Sequence, residues 1–339
     1  MVVAGSAFVT REVAQRMLGQ SHRPLLMGHV EIDGDALGSA VALVRGFRAL
    51  GREPVLALHE PAPRIFDFLL AAGEACVVSD LQQAQAVLSQ RDLVVVLDNN
   101  SWERLGCFGP LLRDSAVPVL CIDHHPCAEA FSEHHYLDTS AAATGVLVQE
   151  LLEGLGWPMD ERAADALYAA TVNDTGWFRW SNTDQRALMA AARLVVAGAR
   201  PDRVAASIML RESLAAKRLL ARFLDTIELT HGGQVATGFV SREMFAATGA
   251  TREDSEDLVN HLRAIADIQV AIFLREDDAG VKLSFRTRAP HSARALALRC
   301  DGGGHEQAAG GRHAGPLSQA LVDVRQWAAE MLTRSQQRG

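Results

Sequence analysis

Cysteine is scarce: the five residues, Cys76, Cys107, Cys121, Cys127 and Cys300, are odd in number, scattered and without a C-x-x-C pair. That spacing excludes a disulfide framework and a zinc-finger pattern, and it suits reduced thiols in a cytoplasmic protein. Positive charge is also in deficit, with 33 Lys+Arg against 41 Asp+Glu and a formal net of −8. A protein that grips long nucleic acid by neutralising its backbone presents a broad basic face. Long polymers are therefore disfavoured as partners, whereas small phosphorylated substrates, met by local positive charge or by metal, are not. No run approaches the roughly 18–20 apolar residues of a membrane span. The opening stretch has no basic region and its apolar character is broken by Arg11 and Glu12, unlike a secretory leader. Internal repeats and low-complexity tracts are missing as well.

What is present suits two domains: 339 residues, 48% of them hydrophobic and 22% charged, fill about two ordinary cores. The first half alternates short apolar runs with helical patterns. Strands are predicted at 24–27, 55–58, 76–78, 93–97 and 117–122, and helices at 36–50, 63–70 and 81–90, with mostly helical patterns over 141–197. LVVVL at 93–97 and VPVLCI at 117–122 are unbroken apolar runs, as expected of strands covered on both faces of a parallel sheet. The order implies a doubly wound, mainly parallel α/β domain over 1–198. Gly198 and Pro201 punctuate a linker at 199–210. A smaller α/β domain is expected over 211–339, with a long helical stretch at 203–227, a helix at 251–266, strands at 235–240, 268–275 and 281–287, and a closing helix at 316–331.

The chemistry-bearing residues follow predicted strands: His29, Asp33 and Asp35 after the first, Asp98 after LVVVL, and Asp123-His124-His125 after VPVLCI. Asp174 ends a helical pattern. Loops at the carboxyl ends of parallel strands form the ligand crevice of an open α/β sheet, so these residues are expected to converge. Taken singly, each has an ordinary explanation, such as a turn, an N-cap or a hydrogen-bonded histidine. Together they are costly to hold without cations, because clustered carboxylates repel and raise one another's pKa. Asp33, Asp35, Asp98 and Asp174 bring about −4, which two divalent ions match. Imidazoles among the donors favour Mn²⁺, Co²⁺, Fe²⁺ or Zn²⁺ over Mg²⁺. A metal pair activates water and polarises a phosphoryl group for in-line attack, which is hydrolytic phosphorus chemistry.

In order and spacing, HVEIDGDALGS (29–39), the Asp98 strand end, DHHP (123–126) and NDTGWFRWSN (173–182) resemble the four motifs of the DHH phosphoesterase superfamily. SFRTR (284–288) and GGGHEQAAGG (302–311) resemble the DHH-associated C-terminal domain, whose GGGH loop binds substrate. The layout is most similar to the nanoRNase / pAp-phosphatase branch. The resemblance implies hydrolysis of short oligonucleotides such as pApA, dephosphorylation of 3′-phosphoadenosine 5′-phosphate (pAp), and an active site in the cleft between the domains. It also implies two divalent ions, Mn²⁺ by preference. His29, Asp33 and Asp98 would hold one, and Asp35, Asp98, His124 and Asp174 the other. Asp123 would orient the neighbouring histidine, and His125 would act beside the scissile phosphate.

Substrate binding is expected of Arg286, whose planar fork suits phosphate, and of Gly302, Gly303 and Gly304, where bare backbone approaches an anion, with His305 adding a side-chain donor. Arg263, Arg275 and Arg288 are read as surface charges, and Trp157, Trp177, Trp180 and Trp327 as packing residues. The chain departs from the usual motifs at Ile32, Asn99-Asn100, Asn173 and Cys300-Asp301. Competing expectations are a cyclic-dinucleotide phosphodiesterase, an inorganic pyro- or polyphosphatase, and an inactive nucleotide-binding regulator. A homodimer is left open.

Overall fold

The structure is a computed structural model that describes residues 7–99, 101–126, 132–210, 212–304 and 306–336. The chain divides into two units, Met1–Arg211 and Glu212–Gly339. In the first unit, β1 (Ala7–Phe8), β2 (Pro24–Met27), β3 (Val55–Leu58), β4 (Ala75–Val77), β5 (Leu93–Leu97), β6 (Val119–Asp123) and β7 (His134–Leu137) form one sheet. Its order is β1-β7-β6-β5-β2-β3-β4 and every pairing is parallel. Helices are α1 (Arg11–Gln20), α2 (Gly34–Ala49), α3 (Leu81–Leu88), α4 (Phe108–Arg113), α5 (Thr144–Leu155), α6 (Glu161–Asp174), α7 (Gln185–Val196) and α8 (Pro201–Met209).

The continuous apolar strands are explained by two cores. Leu26, Val95 and Leu97 pack on one face with residues of α2, α5 and α6. Leu25, Met27, Val94 and Val96 pack on the other with residues of α3 and α4. Successive side chains of a strand point to opposite faces, so a strand covered on both sides has no polar position to spare. The order of winding reverses between β2 and β5, and a crevice opens at such a switch point beyond the carboxyl ends of the strands.

The second unit carries α9 (Leu214–Leu224), β8 (Glu228–Thr230), β9 (Val235–Val240), α10 (Arg242–Thr248), α11 (Leu258–Arg263), β10 (Val270–Asp277), β11 (Gly280–Thr287), α12 (Ala293–Ala297), β12 (Gly303–Gly304), β13 (Ala308–His313) and α13 (Leu317–Gln336). Its sheet is mixed, in the order β12-β13-β11-β10-β9-β8, with β9 and β10 parallel and the remaining pairs antiparallel. Val270, Ile272 and Leu274 face α12 and α13, while Ala271 and Phe273 face α9 and α11.

Three sequence expectations are corrected. The segment expected as a linker at 199–210 contains α8, whose Val204 is buried in the first unit's core. Gly198, at φ +107°, ends α7, and Pro201 then opens the next helix, because proline is tolerated at a helix's first position. The long helical stretch at 203–227 is two helices, since Ser213 accepts the amide of Ala216 and starts α9 afresh. The helix at 251–266 is a short 3₁₀ turn, Glu253–Ser255, followed by α11. The Asp254 carboxylate there accepts both the amide and the hydroxyl of Thr251, closing a turn.

Candidate metal centre

The centre is built from the exits of β2, β5 and β6 and the ends of three helices. After β2, the amide of Val30 donates to the Arg104 carbonyl at 2.9 Å. The amide of Glu31, a residue at φ +57°, donates to the Glu60 carboxylate at 3.0 Å. His29, just before them, donates from Nδ1 to the Val30 carbonyl at 2.7 Å. That bond turns its Nε2 toward Asp98 Oδ2 at 3.7 Å and Asp33 Oδ2 at 3.8 Å. Asp33 is the N-cap of α2, and its Oδ1 accepts the amides of Asp35 and Ala36, both at 3.0 Å. The capping explanation of Asp-Gly-Asp is thus true of Asp33, whose other oxygen faces the cluster.

Asp35 is fully buried and caps a helix that is not its own. Its two oxygens accept the amides of Thr144 at 2.6 Å and Gly145 at 2.8 Å, at the start of α5. Asp98 stands at the end of β5 with φ +57°, a left-handed conformation costly for aspartate, and accepts the Thr144 hydroxyl at 2.9 Å. Beyond β6, His124 donates from Nδ1 to the Ala141 carbonyl at 3.1 Å. Its Nε2 lies 3.0 Å from Asp174 Oδ2, 3.6 Å from Asp98 Oδ1 and 3.8 Å from Asp35 Oδ2. Asp174 closes α6, and its carbonyl accepts from Asn182 at 2.8 Å. Asp123 accepts the amide and Nδ1 of His125 at 3.0 and 2.9 Å.

Electrostatics show how demanding this grouping is. Burial, then repulsion from Asp98 and Asp174, pushes the Asp35 carboxyl well above the usual range. Burial likewise raises Asp98, against the pull of His29 and with Asp33 and Asp174 adding to the rise. Burial would lower His29, but the facing Asp33 and Asp98 carboxylates override it and raise its pKa to about 9. His124 is raised to about 9 in the same way, with Asp174 and Asp98 outweighing burial. Hydrogen bonding to Asp123 lifts His125 despite its burial.

The residues fit a pair of cations. His29 Nε2 is buried without a hydrogen-bond partner, an unsatisfied buried polar atom that calls for an explanation, while His124 Nε2 faces three carboxylates. Donor atoms of His29, Asp33 and Asp98 lie within 4.8 Å of one another, as do those of Asp35, His124 and Asp174 and those of Asp98, His124 and His125. The imidazoles of His29 and His124 are each oriented through the other nitrogen by a backbone carbonyl, the arrangement usual for histidine ligands.

The structure therefore brings His29, Asp33, Asp35, Asp98, Asp123, His124, His125 and Asp174 together in the first unit. The remaining candidates lie in the second. Arg286, on β11, is half-buried and donates to the Phe285 carbonyl at 3.0 Å. Burial, with the nearby Arg263, lowers its pKa against the pull of Asp257. Gly303 and Gly304 form β12, paired with Gly310 and Ala309. A side chain at Gly302 would meet the Gly310 carbonyl at 2.1 Å, and Gly304 has φ +137°. Close backbone crossing accounts for these two glycines, while Gly303 has open space beside it. His305 lies outside the described residues. Thr144, Gly145 and Glu60 lie outside the sequence motifs, whereas Asn182 closes NDTGWFRWSN. One signal was available for the first pair, because the residues before α5, Ala141-Ala142-Ala143, include no capping side chain.

This is a two-unit α/β protein with a carboxylate–imidazole centre at the carboxyl edge of a parallel sheet. Residues 24–171 match the DHH family, N-terminal domain, and residues 232–330 match the DHHA1 domain. The chain is 33% identical over 312 residues to the bifunctional oligoribonuclease and PAP phosphatase NrnA of Thermus thermophilus, covering 91% of this chain and 89% of that one. The chain belongs to the DHH family. It is also 28% identical to the bifunctional oligoribonuclease and PAP phosphatase NrnA of Bacillus subtilis, over 84% of this chain and 88% of the relative. Among solved structures, an exopolyphosphatase-related protein from Bacteroides fragilis shares the fold with a TM-score of 0.87 at 22% identity, covering 94% and 95% of the two chains.

Proposed function

We propose that the protein is a manganese-dependent phosphoesterase that cleaves very short oligonucleotides to mononucleotides and removes the 3′-phosphate of pAp. The observation that carries this reading is the pair of buried imidazole nitrogens, His29 Nε2 and His124 Nε2, aimed into four carboxylates at the sheet's carboxyl edge. The kinship with oligoribonuclease and PAP phosphatase relatives supports the substrate class. His29, Asp33 and Asp98 are the proposed donors to one ion, and Asp35, Asp98, His124 and Asp174 to the other. Bound there, the pair supplies Lewis acidity at a phosphoryl oxygen and acidifies a water for attack.

The chain's own residues do the rest. Asp98 offers one oxygen to each donor set, Oδ2 toward His29 and Oδ1 toward His124. Asp123 holds the proton of His125 at Nδ1 and fixes the ring. Nε2 of a protonated His125 is then the donor to the leaving oxygen. As the oxygen of water bonds to phosphorus and that water gives up a proton to solvent, the bond from phosphorus to the nucleoside 3′-oxygen breaks, that oxygen takes the His125 proton, and His125 is reprotonated from solvent. Arg286, Gly302, Gly303, Gly304 and His305 are the proposed substrate-binding residues of the second unit. The working compartment is the cytoplasm.

The test is hydrolysis of pApA, pAp, a cyclic dinucleotide, pyrophosphate and a 20-nucleotide RNA in parallel, with added Mn²⁺. Turnover of pApA and pAp well above the other three is expected. Hydrolysis of pyrophosphate alone would overturn the substrate class, and no turnover at all would overturn the enzyme. Asp98→Ala is expected to abolish turnover and stable uptake of both ions; two ions retained in that variant would contradict the shared role of Asp98.

A further inference from the structure

Thr144 touches a carboxylate from each of the two donor sets. It is fully buried at the first position of α5. Its amide donates to Asp35 Oδ2 at 2.6 Å and its hydroxyl to Asp98 Oδ1 at 2.9 Å. These partners lie 109 and 46 positions away in sequence. The residue before it, Ala143, contributes no capping side chain, so Asp35 fills that place from another helix. We infer that Thr144 is a positioning residue whose hydroxyl sets the plane of the Asp98 carboxylate, so that the two metal-donor sets are presented together.

The argument rests on the torsion that aims a carboxylate. Rotation about the bond to a planar carboxyl group is soft and broad. Asp98 nevertheless has to point one oxygen at each set: Oδ2 is 3.7 Å from His29 Nε2, and Oδ1 is 3.6 Å from His124 Nε2. Repulsion from the other three carboxylates favours swinging it away. A hydroxyl donor on Oδ1 opposes that swing, and its hydrogen can point nowhere else as usefully, because Thr144 has no exposed surface. The oxygen keeps a second lone pair for an ion. The backbone amides of Thr144 and Gly145 do the same for Asp35, and no side-chain substitution removes them. The hydroxyl is the part that mutation can isolate.

This inference rests on the metal reading proposed above, and the experiment separates the two. Metal-stripped wild-type, Thr144→Val and Thr144→Ser proteins are titrated with Mn²⁺ by calorimetry, far below the melting temperature each shows in chelator. Valine keeps the shape and both amides but loses the hydroxyl, whereas serine keeps the hydroxyl. The expected result is Mn²⁺ affinity weakened about 10–100-fold in Thr144→Val, the range found for residues that orient metal ligands, and restored in Thr144→Ser. A purely structural Thr144 would lower the melting temperature and leave the affinity of the folded protein unmoved; that outcome, or a serine variant as weak as the valine one, overturns the inference. A wild-type protein that takes up no Mn²⁺ overturns the metal reading itself, in a trace independent of the variants.

Discussion

His29 and His124 perform paired tasks with their two nitrogens. Each donates from Nδ1 to a backbone carbonyl and turns Nε2 toward carboxylates. Without metal the imidazoles hold protons, since both pKa values rise from 6.5 to about 9. A group raised on folding stabilises the fold fully below its unfolded value and ceases to do so as pH climbs through its folded value. The metal-free protein is therefore expected to lose stability as pH rises between those two values. Ion binding has to displace the same protons, so Mn²⁺ affinity climbs over the same window. Thermal melts in chelator across that range, and Mn²⁺ titrations in buffers of different ionisation heat, check the pair of statements. Binding heats that ignore the buffer would contradict proton displacement.

The helices bring distant carboxylates to one place. Asp35 lies in the first turn of α2 and Asp174 at the last residue of α6, and the two helices touch where Gly38 faces Ala166. A methyl at Gly38 would stand 2.3 Å from the Ala166 carbonyl oxygen, so backbone has to move. Gly38→Ala is expected to cost about 1–3 kcal/mol, the usual range for overpacking a core. It should also weaken Mn²⁺ binding by separating Asp35 from Asp174. Gly303 offers the contrast, because a side chain there meets nothing within 4 Å. Gly303→Ala should leave stability unchanged and raise KM if substrate phosphate approaches that backbone closely. Urea denaturation with substrate kinetics reads both variants; an unchanged KM in Gly303→Ala would leave its glycine without a binding role.

For the whole chain, charge is the governing quantity. With a formal net of −8, productive binding has to come from few, local contacts. Each phosphate neutralised on a single strand contributes a slope of about −0.7 to the logarithm of affinity against that of salt. For a dinucleotide the slope of log(1/KM) should be no steeper than about −2. Values near those of long-polymer binders would show an extended basic track. Among the described residues, no helix is long and apolar enough to cross a membrane. The helices that bury both faces of the first sheet leave its carboxyl edge for chemistry, and the centre sits there.

Much of this was legible beforehand because it is local. LVVVL followed by Asp98, and VPVLCI followed by Asp123-His124-His125, announce buried strands with polar exits, and residues 235–240 carry the pattern of the strand that forms there. Long-range matters were not legible. The uncapped Ala141-Ala142-Ala143 shows that the start of α5 needs an outside partner, but not that the partners of Thr144 lie 109 and 46 positions away. The short strand β7 has two histidines and no apolar run to announce it. Pro201 carries the same signal whether it ends one helix or opens the next. That Gly302 and Gly304 also need bare backbone because a neighbouring strand crosses them becomes visible only once that strand is in place. Periodicity and turn chemistry act between neighbours and can be read from the order of residues. Strand order, helix contact and shared carboxylates arise when packing brings separated segments within a few ångströms, and no short window of the chain contains both sides of such a contact.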